Sequence, residues 1–203
     1  REFEGEGNGH LSMRGTERVR LSGRNGAGKT TLIEQLLGRR APGTVRTHLF
    51  TTRVGYLPQR IGGEHRVPTD GLDDGLDDGL DDTISAVDNV SRFCPSASTG
   101  DIRSRLARLL IRGDAAFLPV SSLSGGERFR VALACLLFAE PPAQLLILDE
   151  PTNNLDQPSL DHLVEALSGY HGAMLVVSHN EDFINRIGLD MDLELRNGTI
   201  IPR

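Results

Sequence analysis

Apolar residues fall along this chain in short continuous runs and in helical spacings, separated by glycine-rich breaks. Leu11 to Leu21 is predicted to hold one or two strands, the last over Arg18-Val19-Arg20-Leu21. A helix follows over Thr31-Leu32-Ile33-Glu34-Gln35-Leu36-Leu37 and stops at Gly38, the residue type that ends helices in a left-handed turn. Val45 to Leu57 is rich in β-favouring residues and ends in Val54-Gly55-Tyr56-Leu57-Pro58-Gln59, a short strand. From Thr83 to Ile111 the spacing turns helical. Thr83 is expected to cap a helix carrying Ile84, Val87 and Val90, and Thr99 a second carrying Ile102, Leu106, Leu109 and Leu110. Gly113 is expected to end that pair, giving a small helical lobe over about 83–123. An apolar helix runs from Phe129 to Ala139. Gln144 to Glu150 is an apolar run ending in two acids, the pattern of a parallel strand buried on both faces. A helix near Ser159 to Leu167, a strand over Ala173 to Val177 and a hairpin around Asn197-Gly198 complete the chain.

Composition narrows the classes. At 203 residues, 38% hydrophobic and without tryptophan, the chain suits one sizeable domain, or one domain with a small lobe, with a Leu, Val, Ile and Ala core. The longest apolar run, Val131 to Ala139, falls short of the roughly 18–20 residues that span a bilayer, so no membrane span is expected. The start, Arg1-Glu2-Phe3-Glu4-Gly5, carries no secretory h-region and no initiator Met. Residues 1–10 are therefore expected to be a disordered or truncated start, with the domain over 11–203. Cys94 and Cys135 lack metal-like spacing and suit a reduced, cytoplasmic protein. The net charge of −6 belongs to one segment: residues 70–82 hold seven Asp, and without them 22 basic residues face 21 acidic ones, a net of +1. No basic stripe marks a nucleic-acid face. That segment repeats Gly-Leu-Asp-Asp from Gly71, Gly75 and Gly79, lacks EF-hand spacing, and is expected to be a solvated loop.

The chemistry concentrates in a few short stretches. Gly23-Arg24-Asn25-Gly26-Ala27-Gly28-Lys29-Thr30 fits GxxxxGK[ST] between a strand and a helix. Its glycines free backbone N–H groups to close on phosphate oxygens, and the helix N-terminus adds its positive end. Lys29 would place a point charge on the β- and γ-phosphates and Thr30 a hydroxyl on Mg²⁺. Lys29 is the only lysine among 22 basic residues, at a position where a planar guanidinium is a poor substitute. Ser124-Gly125-Gly126-Glu127 opens a helix, which makes either a second anion-binding terminus or a plain cap. Asp149 suits Mg²⁺ and Glu150 suits polarising a water, because adjacent strand residues point opposite ways. Gln59 and His179 each stand at the end of a predicted strand.

Taken in order, GRNGAGKTT, YLPQ, LSGGE, LLILDEPTNNLD and VVSH resemble the nucleotide-binding domain of ATP-binding cassette (ABC) proteins. The resemblance covers about residues 11–201 and is greatest to the F subfamily, soluble ATPases with two cassettes per chain that act on ribosomes as translation factors or in antibiotic resistance. It implies an α/β P-loop NTPase fold with a mostly parallel core sheet, a small antiparallel part and a helical lobe, using ATP and Mg²⁺. By the family pattern Gly23, Arg24, Asn25, Gly26, Ala27, Gly28, Lys29, Thr30 and Thr31 would bind phosphates, and Thr30, Gln59 and Asp149 would serve the metal. Glu150 would be the general base, with Gln59 on the attacking water and His179 on the γ-phosphate. Ser124, Gly125 and Gly126 would hold nucleotide bound to a second cassette, and Asp156 would lie at the seam. That partner would be a missing N-terminal half or a second copy. The alternatives are the ATP-binding subunit of a membrane transporter and a truncated fragment that binds nucleotide without efficient hydrolysis. Two departures stand out: only Phe3 is available to stack adenine, and Asn180 follows His179 where Asp is commoner.

Overall fold

The computed structural model describes residues 13–43, 45–59, 80–153 and 155–203. Its elements are β1 (Arg18–Ser22), α1 (Lys29–Leu36), β2 (Val54–Leu57), α2 (Ala86–Phe93), α3 (Thr99–Arg108), α4 (Gly125–Leu137), β3 (Leu145–Asp149), α5 (Gln157–Ser168), β4 (Ala173–Val177), α6 (Glu181–Ile187), β5 (Met191–Arg196) and β6 (Thr199–Pro202). The strands form one sheet in the order β2-β3-β4-β1-β5-β6. All neighbours are parallel except β5 and β6, whose hairpin turns at Asn197 and Gly198 with both φ positive.

The period of two along each strand decides the layers. Leu145 and Ile147 join Val19, Leu21, Leu175 and Leu193 on one face, where α1 supplies Leu32 and Ile33. Leu146 and Leu148 join Met174 and Val176 on the other, under residues of α4, α5 and α6. All five residues of β3 are buried, as a strand covered on both faces requires. Arg18, which alternates with the apolar positions of β1, enters the second layer. Its guanidinium donates to the carbonyls of Leu167, Tyr170 and Ile187, so one cation meets the negative ends of α5 and α6.

Helix ends follow the backbone groups they must satisfy. Gly38 has φ 72; its N–H donates to Gln35 and that of Arg39 to Glu34, closing α1 as expected. The caps of α2 and α3 differ from expectation. They are Ser85 and Ser98, because Asp88 and Asp101 stand three residues on. Thr83 instead gives its N–H and its hydroxyl to Asp81. The helix pair closes before Gly113, which itself takes φ 57: Leu110 takes φ 63 while Ile111 N–H donates to Leu106 O at 3.0 Å. Of the β-favouring stretch Val45 to Leu57, only Val54–Leu57 is a strand, and Phe50 is 93% exposed.

The acidic repeat lies outside the described residues as far as Gly79, and its end departs from a solvated loop. Leu80 packs against the core, and Asp82 pairs with Arg128 at 2.7 Å. The fully buried Asn89 holds this corner by accepting from Asp81 N–H and donating to the carbonyls of Asp81 and Ser85. Among the described residues no helix is long and apolar enough to cross a membrane.

The capping box of α3 gives a pH-dependent prediction. Hydrogen bonds from Ser98, side chain first and then backbone, hold the Asp101 carboxyl below the usual carboxylate range. A depressed acid stabilises the fold above its unfolded value of about 4, and that contribution is lost as pH falls through the folded value. Ser98→Ala should cost about 1 kcal/mol at neutral pH. In urea unfolding followed from pH 7 downward, its gap from the parent should narrow below about pH 4.

Candidate active site

Parallel strands present their C-terminal ends at one edge, and ligands of open α/β sheets gather there. At the end of β1 the chain turns through Gly23, Gly26 and Gly28 with φ of 146, 80 and 96°. Glycine is required at the first of these, since a Cβ on Gly23 would stand 2.7 Å from the backbone oxygen of Leu195. No heavy atom lies within 4 Å of a Cβ placed on Gly26 or Gly28, so the bowl of the loop is open. Lys29 is buried, and its ammonium donates to Gly23 O at 2.8 Å and Arg24 O at 3.3 Å. Those two carbonyls hold the cation at the mouth of the loop, where phosphate oxygens would compete for it. Arg24 and Asn25 are exposed, and Thr31 accepts a hydrogen bond from Arg40 at 3.1 Å.

Thr30 donates its hydroxyl to Asp149 Oδ2 at 2.8 Å, joining the first turn of α1 to the end of β3. Asp149 is 2% exposed. Burial pushes its carboxyl up, against the opposing pull of the Thr30 hydroxyl and the Lys29 charge. Hydroxyl and carboxylate are hard oxygen donors. They fit Mg²⁺, which takes few protein ligands and completes its octahedron with phosphate oxygens and water. Among the described residues no group of three or more His, Cys, Asp and Glu could hold a metal ion.

Glu150 follows in the left-handed region, φ 53, with its N–H donating to Val177 O at 2.8 Å. Strand alternation does not aim this carboxylate; a strained turn does. The side chain is 10% exposed, and its Oε1 lies 3.3 Å from Nε2 of His179, whose side chain is 54% exposed. The two carrying segments are joined behind them. Ser178 Oγ lies 3.2 Å from Thr152 Oγ1 and accepts from Asn180 N–H at 3.1 Å. Asn180 also caps α6 through Phe183 N–H. Gln59 is exposed two residues beyond Leu57, which pairs with Leu148, so it belongs to the same edge.

The structure thus gathers Gly23 to Thr31, Asp149, Glu150 and His179. It places Ser124, Gly125 and Gly126 otherwise, at the start of α4. Ser124 Oγ accepts from Glu127 N–H, and the Glu127 carboxylate accepts from the Ser124 N–H and hydroxyl. Those bonds close within one turn, and among the described residues none reaches the 23–31 loop. A Cβ on Gly125 or Gly126 would meet nothing within 4 Å, so this helix start faces open space. Asp156 spends an oxygen capping α5 at Ser159 N–H. Hydrogen bonds from Ser159 hold its carboxyl low. Phe3 lies outside the described residues.

Sequence reasoning missed one polar residue here, Arg20. It is 6% exposed and bonded to Glu181 and to Ser178 O. Alternation in Arg18-Val19-Arg20-Leu21 was the available signal, since it sends both arginines into the layer beneath α5 and α6.

Three comparisons bear on this arrangement. The family described as ABC transporter matches residues 7–153. The ATP-binding cassette sub-family F member 3 of Pongo abelii is 37% identical over 171 residues, 84% of this chain and 22% of that protein. Protein GCN20 of Saccharomyces cerevisiae is 36% identical over 180 residues, 88% of this chain and 22% of that protein. The chain therefore spans 22% of the length of these relatives. Among solved structures, an RNase-L Inhibitor superposes at TM-score 0.67 with 27% identity, over 88% of this chain and 32% of that one. A bacterial ABC exporter with ATP bound superposes at 0.69 with 20% identity, over 92% and 33%, a likeness of fold alone.

The turn at Glu150 is open to a direct test. A non-glycine residue in the left-handed region costs about 1–2 kcal/mol. Glu150→Gly should therefore leave the fold as stable or raise its stability by up to about 1 kcal/mol in denaturant titration, whereas most changes at a site this covered destabilise. A loss of 2 kcal/mol or more would show that the side chain, and not function, holds this backbone.

Proposed function

This chain belongs to the ABC transporter family, and on that premise we propose that it is an ATPase cassette that binds MgATP and hydrolyses it against a second cassette. The observation that carries the reading is the convergence of Lys29, the Thr30–Asp149 pair and the Glu150–His179 pair on one sheet edge. On nucleotide binding, Lys29 exchanges the carbonyls of Gly23 and Arg24 for phosphate oxygens, and the N–H groups from Gly23 to Thr31 close around them. Thr30 and Asp149 would hold Mg²⁺, with Gln59 on the metal side, and the bound ion would supply positive charge against the phosphates. Glu150 accepts the proton of the attacking water as its oxygen bonds to the γ-phosphorus and the bond to the β-phosphate oxygen breaks. His179 hydrogen-bonds the transferred group.

Ser124, Gly125 and Gly126 face away from this nucleotide and serve one held by another cassette, placing the N-terminus of α4 against the charge that grows in the transition state. Asp156 lies along the resulting seam. The paired domain is either a second copy or another cassette of the same protein. The likeness to sub-family F members supports a role in a cytoplasmic protein that acts on the ribosome, as a translation factor or in antibiotic resistance. Recovery with membranes in place of ribosomes would favour the transporter-subunit alternative.

Two substitutions test the chemistry. Glu150→Gln keeps the shape and removes the base: MgATP binding should persist while turnover falls by roughly 10²-fold or more, seen as loss of phosphate release. Ser124→Arg fills the open helix start. Specific activity of the parent should climb with protein concentration, or on adding the other cassette, and the variant should lose that gain while still binding nucleotide. Full activity in dilute, monomeric protein that tolerates Ser124→Arg would overturn the two-cassette mechanism.

A further inference from the structure

Arg20 is a buried cation on a strand whose other inward positions are apolar or paired. Its side chain is 8% exposed on β1, three residues before the phosphate loop. A buried ion pair is weak evidence for stability, because desolvating two charges offsets most of their attraction, and apolar residues of similar volume often serve as well. What a guanidinium offers in place of stability is direction: a rigid fork that fixes its acceptors.

The acceptors are specific. Nη2 donates to Ser178 O at 3.1 Å and to Glu181 Oε1 at 2.6 Å, and Nη1 donates to Glu181 Oε2 at 3.2 Å. Nη1 also lies 3.6 Å from Asp192 Oδ2 on β5, the register partner of Arg20. Ser178 and Glu181 flank His179 and Asn180, so the fork grips both ends of the short turn that carries the imidazole. His179 itself is half exposed and meets Glu150 at 3.3 Å. Through Ser178 the grip extends to Thr152, two residues beyond Glu150. Nε of Arg20 and Oδ1 of Asp192 are buried without a hydrogen-bond partner among the described residues, so the arrangement satisfies the turn ahead of its own polar atoms.

We infer that Arg20 is a positioning residue, which latches the turn Ser178–Glu181 to the strand that carries the phosphate loop and so fixes His179 against Glu150. The inference rests on the hydrolytic reading given above, but the latch itself exists without nucleotide and can be measured without it.

The test compares Arg20→Met, Arg20→Lys and Glu181→Gln under conditions where the parent pairs and turns over. Arg20→Met leaves Asp192 without its cation and should lower the melting temperature; assayed at a temperature where it stays folded, it should change KM by less than about 3-fold, while kcat falls by about 10-fold or more. Arg20→Lys keeps one donor for Ser178 O but loses the fork, so it should recover only part of that loss. In nucleotide-free protein, hydrogen exchange at the Asn180 amide should quicken by about 10-fold in Arg20→Met, while the Val176 amide inside β4 keeps its protection. Should Arg20→Met fail to fold, Glu181→Gln at the exposed end of the pair carries the test, with a smaller quickening at Asn180 and a kcat loss of about 3-fold. Unchanged kcat with unchanged Asn180 exchange overturns the inference, as does an Arg20→Lys variant as impaired as Arg20→Met. If the parent itself never turns over, the hydrolytic reading fails. The latch is then decided by Asn180 exchange alone, and an unchanged rate sinks it.

Discussion

The hydrogen bond from Thr30 to Asp149 is the contact on which this site depends. A carboxylate at the end of a strand with both faces covered loses its water, and an unmet charge there is costly. Thr30 meets it from the first turn of α1, which packs on the other side of the loop. The phosphate loop is thereby stretched between two fixed points, the end of β1 and the end of β3. Remove the carboxylate and the start of α1 loses its tie to the sheet. Remove the hydroxyl and a buried acid loses its donor.

The same logic of fixed ends organises the rest of the edge. The Glu150 amide is held by Val177 on the neighbouring strand, so the backbone is committed to a left-handed turn before its carboxylate has a role. Ser178 and Thr152 then close the two strand exits on each other. By contrast α4 is complete in itself: its capping box satisfies its first turn locally, and Gly125 and Gly126 leave the helix start bare. One group of the candidate residues is assembled within the chain, and the start of α4 is displayed outward.

Much of this was legible because the physics that sets it is local. The all-apolar run of β3 required cover on two faces, Gly38 and Asn197-Gly198 named their turns, and the loop from Gly23 to Thr30 announced its chemistry by spacing. What escaped was set by competition between equivalent groups or by the backbone. Thr83 and Ser85 are both competent caps, and the choice fell to Asp88, which can answer only one of them. Leu110 took a left-handed turn ahead of the one at Gly113, because Ile111 had to return its N–H to Leu106. The direction of Glu150 follows from a φ that no side-chain pattern encodes. Arg20 escaped because a charge in a strand reads as an exposed position until the covering helix is known.

The posture of Lys29 has an analytical consequence. The chain has a single ε-amine, and it is folded onto two loop carbonyls at the mouth of the phosphate site. Any reagent selective for lysine side chains therefore reads one location, with no background from the twenty-one guanidinium groups elsewhere. Acylation kinetics at that nitrogen become a gauge of whether the loop is closed on itself or engaged, read from the mass added to one peptide.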